Sequence, residues 1–151
     1  MLPSARLPIV KKLLSENGAI AIPSRGYSMY PAIRPKDECV FAAANEEEIA
    51  IGDILLFENE DGMLVGHRLI GIAESAAGRS YVCKGDANRY PDVPVGIESI
   101  AGKLSAIRRG RGGSRRRRIS HDGRAMALWG KTVMKYPIVS ALLRKWVGRS
   151  R

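Results

Sequence analysis

The chain of 151 residues is poor in the residue types that build covalently or metal-held scaffolds. It has two cysteines, Cys39 and Cys83, and no CxxC pair. That excludes a disulfide framework, makes a structural zinc site unexpected and fits a reducing compartment. Histidine is equally scarce: His67 and His121 are the only two candidates for imidazole chemistry. Long apolar runs are missing too, because charged residues interrupt each one before the roughly 18 residues that a membrane-spanning helix needs. Arg6, Pro8, Lys11, Lys12 and Glu16 break up the N-terminus, where a signal peptide would carry a continuous apolar stretch. The chain is therefore expected to be cytoplasmic and not to cross a membrane by itself, and nothing in it asks for a cofactor or a metal. Acidic residues are almost absent from residues 105–151, where Asp122 stands alone.

That last scarcity divides the chain. Residues 1–104 carry 11 Lys and Arg against 14 Asp and Glu, about −3, whereas residues 105–151 carry 14 against one, +13. With 45% apolar and 26% charged residues the whole has globular composition, so one compact domain is expected with a basic extension. The charge peaks at Arg108, Arg109, Arg111 and the run Arg115, Arg116, Arg117, Arg118, interleaved with Gly110, Gly112, Gly113 and Ser114. Such a composition resists packing and attracts polyanions. The expected organisation is a catalytic or binding domain over 1–104, an Arg/Gly-rich linker over 105–122 and a basic amphipathic helical tail over 123–151.

The first domain reads as mainly β. Pro8, an apolar stripe of Ile9, Val10, Leu13 and Leu14, and the stop signal Asn17-Gly18 predict a helix over 7–16. Six β-type runs follow, at 19–22, 38–43, 53–58, 64–73, 80–84 and 99–108, punctuated by Gly, Pro, Asn and Asp. Glu60-Asp61-Gly62 reads as a hairpin loop that sets Leu55–Phe57 beside Leu64–Gly66. From Gly123 to Val147 helical spacing returns: Met126, Trp129, Val133 and Tyr136, then Val139, Leu142, Leu143 and Trp146 beyond a kink at Pro137.

A serine between glycine and proline in Gly26-Tyr27-Ser28-Met29-Tyr30-Pro31 is a candidate nucleophile, although a turn serine is the simpler reading of it alone. His67, in the strand-like run 64–70, is the candidate base, and Gly85-Asp86-Ala87-Asn88-Arg89-Tyr90-Pro91-Asp92 offers two carboxylates to orient it. Together with Gly52-Asp53-Ile54-Leu55-Leu56-Phe57, Gly66–Ile72, Lys84–Asn88 and Ile100–Leu104, these blocks resemble, in order over about 85 residues, the core of type I signal peptidases in the S24/S26 serine peptidase class. The resemblance implies a signal-peptidase-like β-rich fold and Ser28 as nucleophile. His67 stands where the common bacterial enzymes and the SOS-response repressors keep a lysine, so the chain looks like the histidine-bearing branch of archaeal and endoplasmic-reticulum enzymes. In that branch an acid after the Gly-Asp motif completes a Ser-His-Asp arrangement. Asp92 is favoured for that role, and Asp86 as a structural or supporting carboxylate.

The resemblance further implies an acyl-enzyme mechanism, with an oxyanion held by backbone amides that Gly26, Ser28 and Met29 position. A serine found two residues before the nucleophile in some signal peptidases, as a second oxyanion donor, is here Gly26, which leaves that donor unassigned. The implied substrate is a leader or signal-like peptide, extended along a strand edge, with a small residue before the scissile bond. Relatives that process secreted proteins carry a membrane anchor before the Ser-Met motif, whereas 27 residues precede Ser28 here. Compact unanchored relatives are encoded beside systems that modify ribosomally made peptides, which suggests leader removal. The basic tail is expected either to pack on its own domain or to attach to the inner face of an anionic membrane through its cations with Trp129, Tyr136 and Trp146. Nucleic-acid binding through Arg115–Arg118 ranks below both, because no recognition fold accompanies the charge. A catalytically idle module that binds peptide, membrane or nucleic acid is the alternative function.

Overall fold

The structure is a computed structural model and describes residues 6–110, 117–120 and 123–149. It is mainly β: one antiparallel sheet, a short N-terminal helix and two C-terminal helices. Helix α1 (Arg6–Asn17) ends at Gly18, whose φ of 75° turns its N–H back to the Leu14 carbonyl at 2.9 Å. Its inward stripe is the buried Leu14 with the partly buried Leu7 and Val10, so Val10 and Leu14 of the expected stripe face the sheet and Ile9 and Leu13 do not. Ile9 and Leu13 are 57% and 40% exposed, because only the i, i+3, i+7 face meets the sheet.

The strands are β1 (Ala19–Pro23), β2 (Glu38–Ala42), β3 (Ile54–Glu58), β4 (Leu64–Ser75), β5 (Gly78–Lys84), β6 (Val95–Gly96), β7 (Ile100–Arg109) and β8 (Arg117–Ser120). They run in the spatial order β1-β2-β7-β3-β4-β5-β6, with β8 also on β7. The β3–β4 hairpin pairs Leu55 with His67 and Phe57 with Val65, around a turn closed by Asn59 and by Gly62 at φ 70°. Strand β3 is buried on both faces. Its alternation sends Ile54 and Leu56 to a core with Leu14, Met29, Phe41 and Ile107, and Leu55 and Phe57 to a second core with Leu69, Tyr81 and Cys83. Burial pushes both thiols up, Cys39 and Cys83 each to about 12.

Strand β7 ends at Arg109, one residue past the expected run 99–108, and Arg117–Ser120 adds a strand to it, so 105–109 and 117–120 of the stretch expected as a linker are sheet. The arginines keep their charges out of the core: Arg108 pairs with Glu38 of β2, and Arg117 and Arg118 of β8 stay exposed. The described part of the expected helical tail, 123–149, packs on the sheet domain, the first of the two expected arrangements. Helices α2 (Arg124–Lys135) and α3 (Pro137–Arg149) break at Pro137, and Met126 and Val133 of α2 are buried, Met126 within the first core. No helix among the described residues is long and apolar enough to cross a membrane.

Candidate active site

Ser28 lies in the 14-residue loop between β1 and β2, which is held at its base and its tip. At the base, Ser24 N–H donates to Asp37 O at 2.7 Å and Lys36 N–H returns to Ser24 O at 2.8 Å. The buried Asp37 carboxylate accepts the Arg34 N–H and two arms of Arg109 from the end of β7, at 2.7 to 2.9 Å for the closest contacts. Arg109 also donates to the Ala32 carbonyl at 3.0 Å. Sequence reasoning assigned Arg109 to a polyanion-attracting linker and missed this work; the signal for it was the β-pattern of 99–108 running straight up to it.

At the tip, the loop after β5 docks on the serine turn. Ala87 N–H donates to the Ser28 carbonyl at 2.8 Å, and Asp86 N–H points to the Met29 sulfur at 3.4 Å. Met29 is itself buried in the first core, which anchors the residue after the serine. The close approach needs Gly85: a Cβ there would stand 2.8 Å from the Ser28 carbonyl oxygen and 2.7 Å from the Asn88 amide nitrogen. Gly26 carries no such demand. A Cβ there would meet nothing within 4 Å and its φ is not positive, so the expectation that Gly26 fixes the nucleophile's backbone is corrected in favour of Gly85.

Three side chains meet at this junction. His67, on β4 and 8% exposed, has Nε2 3.0 Å from Ser28 Oγ and Nδ1 2.7 Å from Asp92 Oδ2. A carboxylate only accepts, so Nδ1 carries the proton and Nε2 is left to accept the Ser28 hydroxyl. Asp92 is aimed by its own N–H, which donates to the Cys83 carbonyl at 2.8 Å. The imidazole edge rests near the Phe57 ring, 6.3 Å between centroids.

Asp86 has a different place. Arg68 grips it with Nε to Oδ1 and Nη2 to Oδ2, each at 2.8 Å, and Trp129 Nε1 donates to the same Oδ2 at 2.8 Å. Arg68 and Asp86 are both fully buried, and Arg68 Nη1 also reaches the Gly52 carbonyl at 3.0 Å. Gly130 lets α2 close over this pair, since a Cβ there would stand 2.7 Å from Arg68 Nη1. Trp129 is thereby committed inward, which corrects its expected role at a membrane surface. Trp146 remains 51% exposed while stacking on Tyr30 at 4.8 Å. Arg115, Arg116 and His121 lie outside the described residues, and Arg117 and Arg118 are exposed on β8, paired through their backbone with the end of β7.

Ser28 and His67 form one wall of a cleft of about 620 Å³, whose apolar lining includes Ile22, Met29, Phe41, Leu56 and Leu64. Two strand edges border it. Among the described residues β1 pairs only with β2, and residues 64–67 of β4 pair only with β3, because β5 begins its ladder at Arg68.

No protein-family model matches the chain. Over 93 residues, 62% of its length, it is 28% identical to one of the subunits of the Na(+)-translocating NADH-quinone reductase of Psychromonas ingrahamii. The chain spans about a fifth of the length of that curated relative, 21%.

Proposed function

We propose that this chain is a serine endopeptidase of the signal-peptidase-like S24/S26 class, removing a leader or signal-like peptide through Ser28, His67 and Asp92. The observation that carries the reading is the continuous relay of 3.0 Å from Ser28 Oγ to His67 Nε2 and 2.7 Å from His67 Nδ1 to Asp92. As Oγ bonds to the peptide carbonyl carbon, its proton passes to Nε2, and Asp92 stabilises the imidazolium that results. The backbone amide of Ser28 supplies the oxyanion donor, its turn held by the buried Met29 and by the close approach of Gly85. Collapse breaks the C–N bond, His67 returns the proton to the leaving amine, and water then attacks the acyl-enzyme by the same path in reverse. The substrate adds as an extended strand between the open edges of β1 and β4, its side chains entering the apolar cleft. A small residue, such as alanine, precedes the scissile bond.

Incubating the full chain with a peptide library and sequencing the products tests this. Cleavage after small residues, lost in Ser28→Ala, is the expected result. Binding without cleavage by well-folded wild type would favour the idle binding module instead.

A peripheral membrane position is supported by a second observation. Ile138, Leu142 and Trp146 form an outward stripe of α3, 68%, 61% and 51% exposed, with Lys145 and Arg149 exposed beside it. Apolar insertion flanked by cations suits an anionic inner leaflet. Nucleic acid has no comparable support, and the chain acts without a cofactor in this scheme.

A further inference from the structure

A second cleft, of about 670 Å³, meets the first at Gly26 and Ser28, which line both. Its walls are the loop that carries Asn88, Arg89 and Tyr90, and the end of α3 with Arg144 and Val147. No acidic residue lines it among the described residues. The nearby carboxylates are already engaged: Asp86 by Arg68 and Trp129, Asp92 by His67. Residues 123–151 contain no Asp or Glu at all, so α2 and α3 bring only cations to this side of the serine. Lys84 shows the crowding. Its ammonium, bonded to Ser140 Oγ at 3.2 Å, is held below the ordinary lysine range by burial and then by the charge of Arg144, against the opposing pull of Asp86. Among the described residues neither Arg89 nor Arg144 is paired with a carboxylate; Arg89 lies 5.1 Å over the Tyr90 ring.

We propose that this cleft binds the stretch of substrate after the scissile bond and selects carboxylate-bearing side chains there, through Arg89 and Arg144. The inference rests on the peptidase reading of Ser28 and takes the residues before the bond to occupy the apolar cleft. The chain passing over Ser28 then leaves toward α3. Two cations without carboxylate partners, one on each wall of the cleft, favour an anionic occupant, and planar guanidinium groups suit a carboxylate. Specificity is therefore bipartite: small and apolar before the bond, acidic after it.

The test uses the full-length Ser28→Ala protein, which binds without turnover, and fluorescent peptides with alanine before the bond. In matched sets, Glu, Gln or Lys occupies the three positions after the bond, or Glu occupies the three positions before the alanine. Glu after the bond is expected to bind about tenfold more tightly than Gln there, the combined effect of two exposed charge pairs, and to lose that advantage as salt rises. Adding Arg89→Gln and Arg144→Gln should remove the preference, whereas Lys131→Gln on the outside of α2 should keep it. Equal binding of all sets overturns the proposal, as does an equal gain from Glu on either side of the bond, which would mark general attraction to a +10 chain. Two parallel results separate this idea from the one beneath it. Cleavage by wild type with no acidic preference removes the second cleft and leaves the peptidase. An acidic preference in Ser28→Ala with no cleavage by wild type removes the peptidase and leaves a carboxylate-binding cleft.

Discussion

Asp92 and Asp86 occur in one loop, yet their carboxylates face different chemistry. Asp92, with a side chain 22% exposed, touches His67, and Asp86, 1% exposed, is gripped by Arg68 and Trp129. Under the proposed mechanism, Asp92→Asn should lower kcat by about 10⁴-fold through the wrong imidazole tautomer, with folding little changed. Asp86→Asn should instead cost about 3 to 5 kcal/mol of stability by leaving the Arg68 charge buried and unpaired. Paired kinetics and denaturant titrations check both, and a stable, slow Asp86→Asn with a fast Asp92→Asn would exchange the roles. The motif order made Ser28, His67 and Asp92 readable. Arg68 was not, although strand periodicity held the clue: neighbours on β4 point to opposite faces, so His67 reaches Ser28 and Arg68 reaches Asp86. The thiols give a pH prediction. Both are raised from 9.0 to about 12, so the folded state holds protons that the unfolded state releases. Their contribution to stability is complete below pH 9 and falls as pH rises from 9 toward 12. Alkylation at about pH 8, below the ordinary thiol range, should label neither cysteine until the protein is unfolded, and rapid labelling under native conditions would contradict the burial.

At the scale of elements, the six expected strands lie within two residues of β1 to β5 and β7, whereas the short β6 and β8 were not legible. A continuous apolar run, 54–57, and the turn residues Glu60-Asp61-Gly62 marked the β3–β4 hairpin, and burial of β3 on both faces accounts for its lack of polar alternation. The arginines of β8 hid that strand, since charge argues against burial but not against an exposed edge strand. Helix α1 shows the converse: two equivalent stripes fit its sequence, and only docking on the sheet selects Leu7, Val10 and Leu14. Two glycines carry element-level predictions. At Gly102 a Cβ would collide with the Ala42 carbonyl oxygen of β2, so Gly102→Ala should destabilise the sheet, read as a lowered Tm. At Gly85 the obstacle is the Ser28 carbonyl, so Gly85→Ala should depress kcat by displacing the serine turn. An alanine variant that melts and turns over like wild type would show that the loop contact is dispensable.

For the molecule as a whole, the C-terminal helices change what truncation should do. Read as a detachable tail, residues 105–151 could be cut away with every candidate catalytic residue retained. In the fold, a cut after Ser105 divides β7, removes Arg109 from Asp37 and Trp129 from Asp86, and uncovers the core at Met126. Such a protein should lose both stability and activity, whereas Ile138→Ser and Leu142→Ser in the intact chain should weaken flotation with anionic vesicles while Ser28 remains active. Absence of flotation by the intact protein at low salt would leave the α3 stripe without a membrane role. The charge imbalance that signalled a separate segment was real, but its described cations sit on packed helices and sheet strands, which composition alone does not separate from a linker. The most direct test of Ser28 as an activated nucleophile is intact-mass analysis after reaction with a serine-directed phosphonate. One adduct per chain on Ser28, absent from Ser28→Ala and slowed in Asp92→Asn, is the predicted result; a folded wild type that stays unmodified, or a Ser28→Ala variant modified equally, would contradict it.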